Sequence, residues 1–278
     1  MVHIAGNPLP AICHKVIRQS ELGPGRLIVV GDVHGCLNEF FQLLDTLDFK
    51  YGYDNLLLTG DLVNKGPRSQ EVVAALRALS ESGQVWAVRG NNDDVALSAW
   101  YQLQAGVPLE SLKKKARWVG QLQPEDVDYL NQLPFSIRVE GYNLVVVHAG
   151  VLPGTPLQQQ QLATLTTMRD IAQAPDGSLI ALERATESST PWAGYWKGPE
   201  HVVFGHDSER RLQGYACCTG LDTACVAGGQ LTACVLPALQ ELQQQPGFVR
   251  ARSHNAPASL RDMGGFLLCV PSGTNYQG

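Results

Sequence analysis

Five short stretches constrain this chain more than anything else in it. They read GDVHG (Gly31 to Gly35), GDLVNKG (Gly60 to Gly66), RGNND (Arg89 to Asp93), VHAG (Val147 to Gly150) and FGH (Phe204 to His206). Each opens with or follows an apolar run: LIVV, LLLT, VWAV, LVVV and VVF. That is the pattern of a buried strand, a sharp turn and a loop carrying polar side chains. Those side chains are Asp32, His34, Asp61, Asn91, His148 and His206. They are oxygen and imidazole donors, in numbers that suit a pair of divalent cations.

The segments between the first three stretches say how they are brought together. Arg26 to Val30 reads as a short buried strand. After it, Leu37, Phe40, Phe41, Leu44 and Leu47 recur at helical spacing and predict an amphipathic helix. Asn55 to Thr59 is a second strand. The helix after it has Pro67 near its start and Gly83 at its end. Gln84 to Val88 is a third strand, and Asp93 or Asp94 can cap the helix that follows. Strand and helix in alternation predict βαβ units and a largely parallel sheet. Ligands of such sheets collect at the carboxyl ends of the strands. Asp32, Asp61 and Asn91 each sit just past a strand, so fold logic and donor position agree.

The rest of the chain is less regular. Residues 104–133, with basic SLKKKARWV and acidic QPEDVDYLNQLP, predict a small helical insertion over one edge of the site. Ser136 to Glu140 and Leu144 to Val147 flank Gly141-Tyr142-Asn143 as a hairpin. Residues 152–199 read as a long, partly helical excursion. His201 to Phe204, Cys217 to Leu221 and Leu231 to Leu236 return to strand character. Residues 1–26 read as an irregular lead-in, and 252–278 as a tail whose apolar run GFLLCV either packs on the body or is disordered. Between 27 and 251 there is no persuasive domain boundary.

With 278 residues, 44% hydrophobic and 17% charged, the chain can bury a real core as a soluble globular protein. A net charge of −5 and a pI of about 5.8 argue against a broad nucleic-acid surface. An anionic substrate must be drawn in locally, by metals and a few placed cations. Seven cysteines with no CxxC pair point to reduced thiols inside a cell. No apolar run approaches the ~20 residues of a membrane span. The N-terminus lacks the basic region and apolar core of a signal peptide. The expected setting is intracellular and cytoplasmic, with an organelle as the alternative.

In an extended loop residues two apart point to one side, so Asp32 and His34 can bind one cation together. Asp61, at the end of the neighbouring strand, is placed to bridge two cations with its two oxygens. Mixed oxygen and nitrogen donors suit Mn²⁺, Fe²⁺, Zn²⁺ or Co²⁺ better than Ca²⁺. Two such metals about 3.5–4 Å apart can activate a bridging hydroxide and clamp phosphoryl oxygens. Lys65 and Arg169, in LTTMRD, are the candidates to complete the charge neutralisation. Each residue alone reads equally well as a turn former or helix cap. The weight lies in the five blocks together. His201 and Arg89 are expected to be structural, Cys36 to be packing, and Lys113 to Lys115 to form a solvated face.

These blocks resemble the signatures of the calcineurin-like metallophosphoesterases, which in the phosphoprotein phosphatase branch read GDxHG, GDxVDRG, GNHE, HGG or HAG, and a later GH. GDLVNKGP, HAGVLPG, MRD, FGHD and LDTACVAGGQLTA are most similar to the diadenosine tetraphosphatase-like (ApaH-like) phosphatases of eukaryotes. The resemblance covers most of residues 27 to 236. It implies an α/β fold, an αββα sandwich of two mixed β-sheets flanked by helices. It implies two divalent ions, Mn²⁺ first, with Fe²⁺, Zn²⁺, Co²⁺ or Mg²⁺ as alternatives. Asp32, His34 and Asp61 would hold one, and Asp61, Asn91, His148 and His206 the other. Lys65 and Arg169 would contact phosphate. Asp222 and Gly228-Gly229 also match, and can be read as turn formers.

One departure matters. Where the family pattern has GNHE this chain has Gly90-Asn91-Asn92-Asp93, and Asn64 stands where GDxVDRG has its second aspartate. The resemblance implies an acid pair at these positions that protonates the leaving group; here both halves are amides. An amide donates a hydrogen bond but gives up no proton at neutral pH. General acid catalysis contributes typically 10²–10⁴-fold. The loss is smallest when a phosphate or nucleotide leaves, since it is already a stable anion. The expectation is a dinuclear metal-dependent phosphohydrolase that cleaves phosphoanhydrides, with a dinucleoside polyphosphate, polyphosphate or capped RNA as substrate. Asp61, Asn92, Lys65 and Arg169 would face the reacting groups. A serine/threonine protein phosphatase is the alternative within enzymes. A weakened phosphatase-like binding protein is the alternative outside them.

Overall fold

The computed structural model describes residues 6–81 and 83–277. The first half runs β1 (His14–Ile17), β2 (Leu27–Val30), α1 (Leu37–Thr46), β3 (Asn55–Leu58), α2 (Ser69–Ser80), β4 (Val85–Ala87), α3 (Asn91–Gln104), α4 (Pro124–Gln132), β5 (Ser136–Val139) and β6 (Leu144–Val147). The second half runs α5 (Leu162–Thr167), β7 (Asp170–Gln173), β8 (Leu179–Leu182), β9 (Thr190–Pro191), β10 (His201–Phe204), β11 (Gln213–Gly214), β12 (Cys218–Gly220), β13 (Gln230–Leu236), α6 (Leu239–Leu242), α7 (Pro246–Ser253) and β14 (Phe266–Pro271). Among the described residues no helix is long and apolar enough to cross a membrane.

Two mixed sheets form the body. One has the order β14-β13-β2-β3-β4, and the other β1-β5-β6-β10-β12-β11. β2, β3 and β4 are parallel, as their alternation with helices requires, and β13 joins β2 antiparallel. The central strands β2, β3, β6 and β10 are buried along their whole length because both faces of the sheets are covered there. Along β2, Leu27 and Val29 enter the core between the sheets, whereas Ile28 and Val30 enter the core under the helices. In β6, Leu144 and Val146 face the inter-sheet core and Val145 and Val147 the outer layer. This is the αββα sandwich that the resemblance implied. The β5–β6 hairpin forms as expected, with Gly141 and Asn143 both at positive φ.

Some expectations hold in part and others need correction. The lead-in of residues 1–26 is not wholly irregular, since β1 pairs parallel with β5; residues 1–5 lie outside the described residues. Strand β1 is four residues of mixed polarity, and its partner lies more than a hundred positions along the chain, so local pattern gives no cue. The excursion 152–199 is partly helical, as expected, through α5, and it also carries β7, β8 and β9, which make a small antiparallel sheet that was not expected. Its strands are short and half exposed, and of the three only β8, LIAL, is an apolar run. The apolar run of the tail packs on the body, one of its two expected outcomes, as β14, which pairs antiparallel with β13 at the edge of the first sheet. In α1 the stripe runs through Leu43 and leaves Phe41 exposed.

Candidate active site

The donors converge where β2, β3, β6 and β10 end. Asp32, His34, Asp61, His148 and His206 are all buried, and Asn91 opens α3 beside them. Asp61 holds the middle. Its Oδ2 lies 3.4 Å from His34 Nε2, and its Oδ1 3.3 Å from His148 Nε2. Each oxygen of one carboxylate thus faces a different histidine, which is the disposition expected of a bridge. Asp32 Oδ2 lies 4.0 Å from His34 Nε2, and the Asp32 carboxylate accepts the His206 backbone N–H. His148 and His206 meet edge to face, with ring centroids 5.0 Å apart.

Tautomers follow from the carbonyls behind the rings. His148 Nδ1–H donates to the Thr59 carbonyl (2.8 Å) and His34 Nδ1–H to the Val63 carbonyl (3.1 Å). His206 instead donates from Nε2 to the Thr167 carbonyl (3.1 Å). The remaining nitrogen of His34 and of His148, Nε2 in both, faces Asp61 at 3.4 and 3.3 Å, the arrangement of metal-ligating histidines. His148 Nε2 faces Asn91 Oδ1 at 3.0 Å and Asp61 Oδ1 at 3.3 Å. As a neutral ligand that nitrogen and the two oxygens are three lone-pair donors with no hydrogen among them. A cation relieves that arrangement, and ligand atoms of Asp32, Asp61 and His148 all lie within 4.8 Å of one another. The donor chemistry therefore fits divalent ions of the Mn²⁺ to Zn²⁺ series.

Electrostatics agree. Burial, with Asp222 and Asp61 close by, pushes the Asp32 carboxyl well above its usual range. Burial acts the same way on Asp61, but His148, His34 and Lys65 outweigh it and hold that carboxyl well below the usual range. Burial lowers His34, and burial with His148 and Arg169 alongside lowers His206, so both favour the neutral form that a metal needs.

The loops are under local strain. His34, Asp61 and His206 adopt φ of 47°, 50° and 69°, in the left-handed region that costs an ordinary side chain about 1–2 kcal/mol. Asp93 shows how this is held. As the N3 residue of α3 it accepts the Gly90 N–H (2.8 Å), and it also accepts the N–H groups of Asp61 (3.0 Å) and Leu62 (2.9 Å). One carboxylate caps a helix and pins the neighbouring loop. Gly90 and Gly205 are required by close approach, because a Cβ there would collide with Asp61 and Asp32 respectively.

Lys65 and Arg169 flank the cluster. The exposed Lys65 Nζ lies 2.8 Å from His34 Nε2. Arg169 donates to the carbonyls of Glu183 (3.0 Å) and His206 (3.3 Å). Asn92 donates its backbone N–H to Asp61 Oδ1 (2.8 Å) and its side-chain Nδ2 to Asp61 Oδ2 (2.6 Å). Asn64 Nδ2 donates to the Asn92 carbonyl at 2.6 Å. Residues singled out as structural behave so. His201 bonds the Ala258 carbonyl and the Thr219 hydroxyl, and Arg89 is fully buried against the carbonyls of Pro8 and Asn131. Asp222 accepts the Ala224 N–H and so shapes its turn. Sequence reasoning missed Thr59, whose carbonyl holds His148 and whose hydroxyl donates to Asp32 Oδ1 (3.1 Å). It also missed Asp207, which neutralises Arg210, and Trp118, whose indole reaches Asn64. The threonine directly before Gly60-Asp61 was the available signal for the first; the others had none.

The profile of the calcineurin-like phosphoesterase family matches residues 25–226. A symmetrical bis(5'-nucleosyl)-tetraphosphatase from Chromohalobacter salexigens is 30% identical, over 73% of this chain and 92% of that protein. An asymmetrical bis(5'-nucleosyl)-tetraphosphatase, PrpE, from Halalkalibacterium halodurans is 26% identical, over 76% and 90%. A crystal structure assigned as a diadenosine tetraphosphatase superposes with a TM-score of 0.74 at 34% identity, over 94% of this chain and 98% of that one. A protein serine/threonine phosphatase from Saccharomyces cerevisiae, 14% identical with a TM-score of 0.53, shares the fold, over 82% and 77%. A profile that runs from the first buried strand to the Asp222 turn, over donors gathered on one carboxylate, places the chain in the calcineurin-like phosphoesterase family, as a metal-dependent hydrolase.

Proposed function

We propose that this hydrolase cleaves phosphoanhydride bonds, with a dinucleoside polyphosphate such as diadenosine tetraphosphate as its substrate. The names of the relatives support that class. The observation that carries it is the amide pair beside Asp61, Asn92 and Asn64, at the positions where the resemblance implies the leaving group's acid. Both are amides, and both spend an N–H inside the site. Neither can protonate a departing alkoxide, whereas a nucleotide or phosphate needs no proton.

Asp32, His34 and Asp61 would hold one metal, and Asp61, Asn91, His148 and His206 the other, with Mn²⁺ the ion proposed. When bound, such a pair supplies an activated nucleophile and positive charge for the phosphoryl oxygens. The chain's own groups do the rest. The carbonyls of Val63, Thr59 and Thr167 fix the tautomers of His34, His148 and His206. Lys65 and Arg169 lie at the rim and bind phosphate oxygens through charge-assisted hydrogen bonds. Asn92 holds Asp61 in place and offers the leaving group at most a hydrogen bond. The seven free cysteines support a reducing, cytoplasmic setting.

The test is phosphate release with Mn²⁺ on diadenosine tetraphosphate, polyphosphate, a capped dinucleotide, p-nitrophenyl phosphate and a phosphoserine peptide. The Asp61→Ala variant serves as blank. Turnover confined to the anhydrides is the expected result. Comparable turnover of the peptide would reassign the chain as a protein phosphatase. Silence on every substrate with metal bound would make it a binding protein.

A further inference from the structure

We propose that Trp118, on the insertion, is a positioning residue that fixes the Asn64–Asn92 amide pair and, through it, the Asp61 carboxylate. The inference deepens the reading above and rests on it. Trp118 Nε1–H donates to Asn64 Oδ1 at 2.8 Å, Asn64 Nδ2 to the Asn92 carbonyl at 2.6 Å, and Asn92 Nδ2 to Asp61 Oδ2 at 2.6 Å. Three consecutive bonds thus connect the insertion to the residue on which the site turns.

The direction of the relay is dictated by chemistry. An indole nitrogen is a donor only, so the oxygen of the Asn64 amide must face it. That leaves the amide nitrogen facing Asn92, whose backbone carbonyl is an acceptor only. Asn64 is buried, so neither end can turn to water instead. Its backbone is fixed as well: its N–H donates to Ser69 Oγ at 2.9 Å, and its φ of 69° is one that asparagine tolerates. An aspartate at 64 would satisfy Trp118 but set a second oxygen against the Asn92 carbonyl with no hydrogen between them. The position is therefore built for an amide. The Asn64–Asn92 pair is a connected network of its own, not an acid pair that has lost its members.

The insertion is anchored well enough to place the indole. Trp118 belongs to a 3₁₀ segment, Lys114–Gln121, whose Ala116 and Val119 are buried in the core beneath the helices. Arg117 ties the segment back by donating to the carbonyls of Leu112 (3.2 Å) and Glu110 (2.6 Å). The insertion therefore acts on the site from behind the metal donors, through an outer hydrogen bond. Asn92 is the partner bonded to the ligand itself, a position whose loss typically costs about 10–100-fold in metal affinity or activity, and Trp118 and Asn64 act through it.

The experiment is calorimetric titration of the metal-free protein with Mn²⁺, for wild type, Trp118→Phe, Asn64→Ala and the double variant, beside kcat and KM on diadenosine tetraphosphate. Trp118→Phe should weaken Mn²⁺ binding about tenfold or more and lower kcat similarly, with KM changed less than about threefold. Asn64→Ala should do the same with the indole still in place, which keeps the test open if Trp118→Phe folds poorly. The double variant should be no worse than either single one by more than about twofold, because both act through one relay. Wild-type affinity in both single variants, or fully multiplicative losses in the double variant, would overturn the relay. Normal Mn²⁺ binding without anhydride turnover in the wild type would overturn the substrate reading and leave the relay to be judged by affinity alone.

Discussion

Buried histidines occupy two regions of this molecule, and they are used in opposite ways. At the carboxyl ends of the strands, His34, His148 and His206 each tie one ring nitrogen to a carbonyl, and the other nitrogen of His34 and of His148 faces Asp61. At the start of β10, His201 ties both: Nδ1 to the Ala258 carbonyl at 3.0 Å and Nε2 to the Thr219 hydroxyl at 2.9 Å. Five positions separate His201 from His206. A buried imidazole whose two nitrogens meet only a backbone carbonyl and a hydroxyl is a packing residue; one whose second nitrogen faces a buried carboxylate is placed to take a cation. Burial alone would have grouped all four together.

The comparison is most easily broken at Asp61, which touches two of the three cluster histidines. Asp61→Ala should lower kcat/KM on diadenosine tetraphosphate by about 10³-fold or more while the chain stays folded. Next in size is the opposite outcome at the other region. His201→Ala leaves the Thr219 and Ala258 groups without partners and should destabilise the fold by about 2–3 kcal/mol in denaturant unfolding, with little loss of kcat. The same histidine gives a pH signature. Burial pushes His201 down to about 4, whereas an unfolded histidine titrates near 6.5. Below that value the unfolded chain takes up a proton that the folded chain refuses, so stability falls with pH and has lost about 2 kcal/mol by pH 5. His201→Gln should flatten this part of the stability–pH curve; an unchanged curve would count against a neutral buried ring. The smallest effect concerns the amide side. Asn92→His should raise turnover of phosphate monoesters by about tenfold relative to the anhydride. No gain there would mean that leaving-group protonation does not set the selectivity.

The donors were legible because their strands are short apolar runs buried on both faces, each followed at once by an oxygen or imidazole side chain. Asp32, Asp61 and Asn91 come together because parallel strands end on one side. What was illegible depends on packing across distance. Strand β1 shows no pattern of its own and exists because β5 offers it an edge. The strands of the third sheet, DIAQ, LIAL and TP, are too short to show an alternation that would announce them. The left-handed backbone at His34, Asp61 and His206 has no signature in residues that rarely adopt it, and Asp93, read as a helix cap, proves also to hold the Asp61 loop. Trp118 meets Asn64 only because Ala116 and Val119 seat the insertion, and no spacing rule connects positions 64 and 118. The amide pair itself was visible as a departure from the family pattern, but its connectivity to Asp61 was not.

The ligand assignment is tested most directly by the stoichiometry of Mn²⁺ binding to the metal-free protein, measured for wild type, His148→Ala and His201→Gln. Two ions per chain in wild type and in His201→Gln, with loss or at least about hundredfold weakening of one site in His148→Ala, is the result expected. Undiminished binding of two ions by His148→Ala, or loss of a site in His201→Gln, would contradict the division between the two kinds of buried histidine and with it the metal centre built on Asp61.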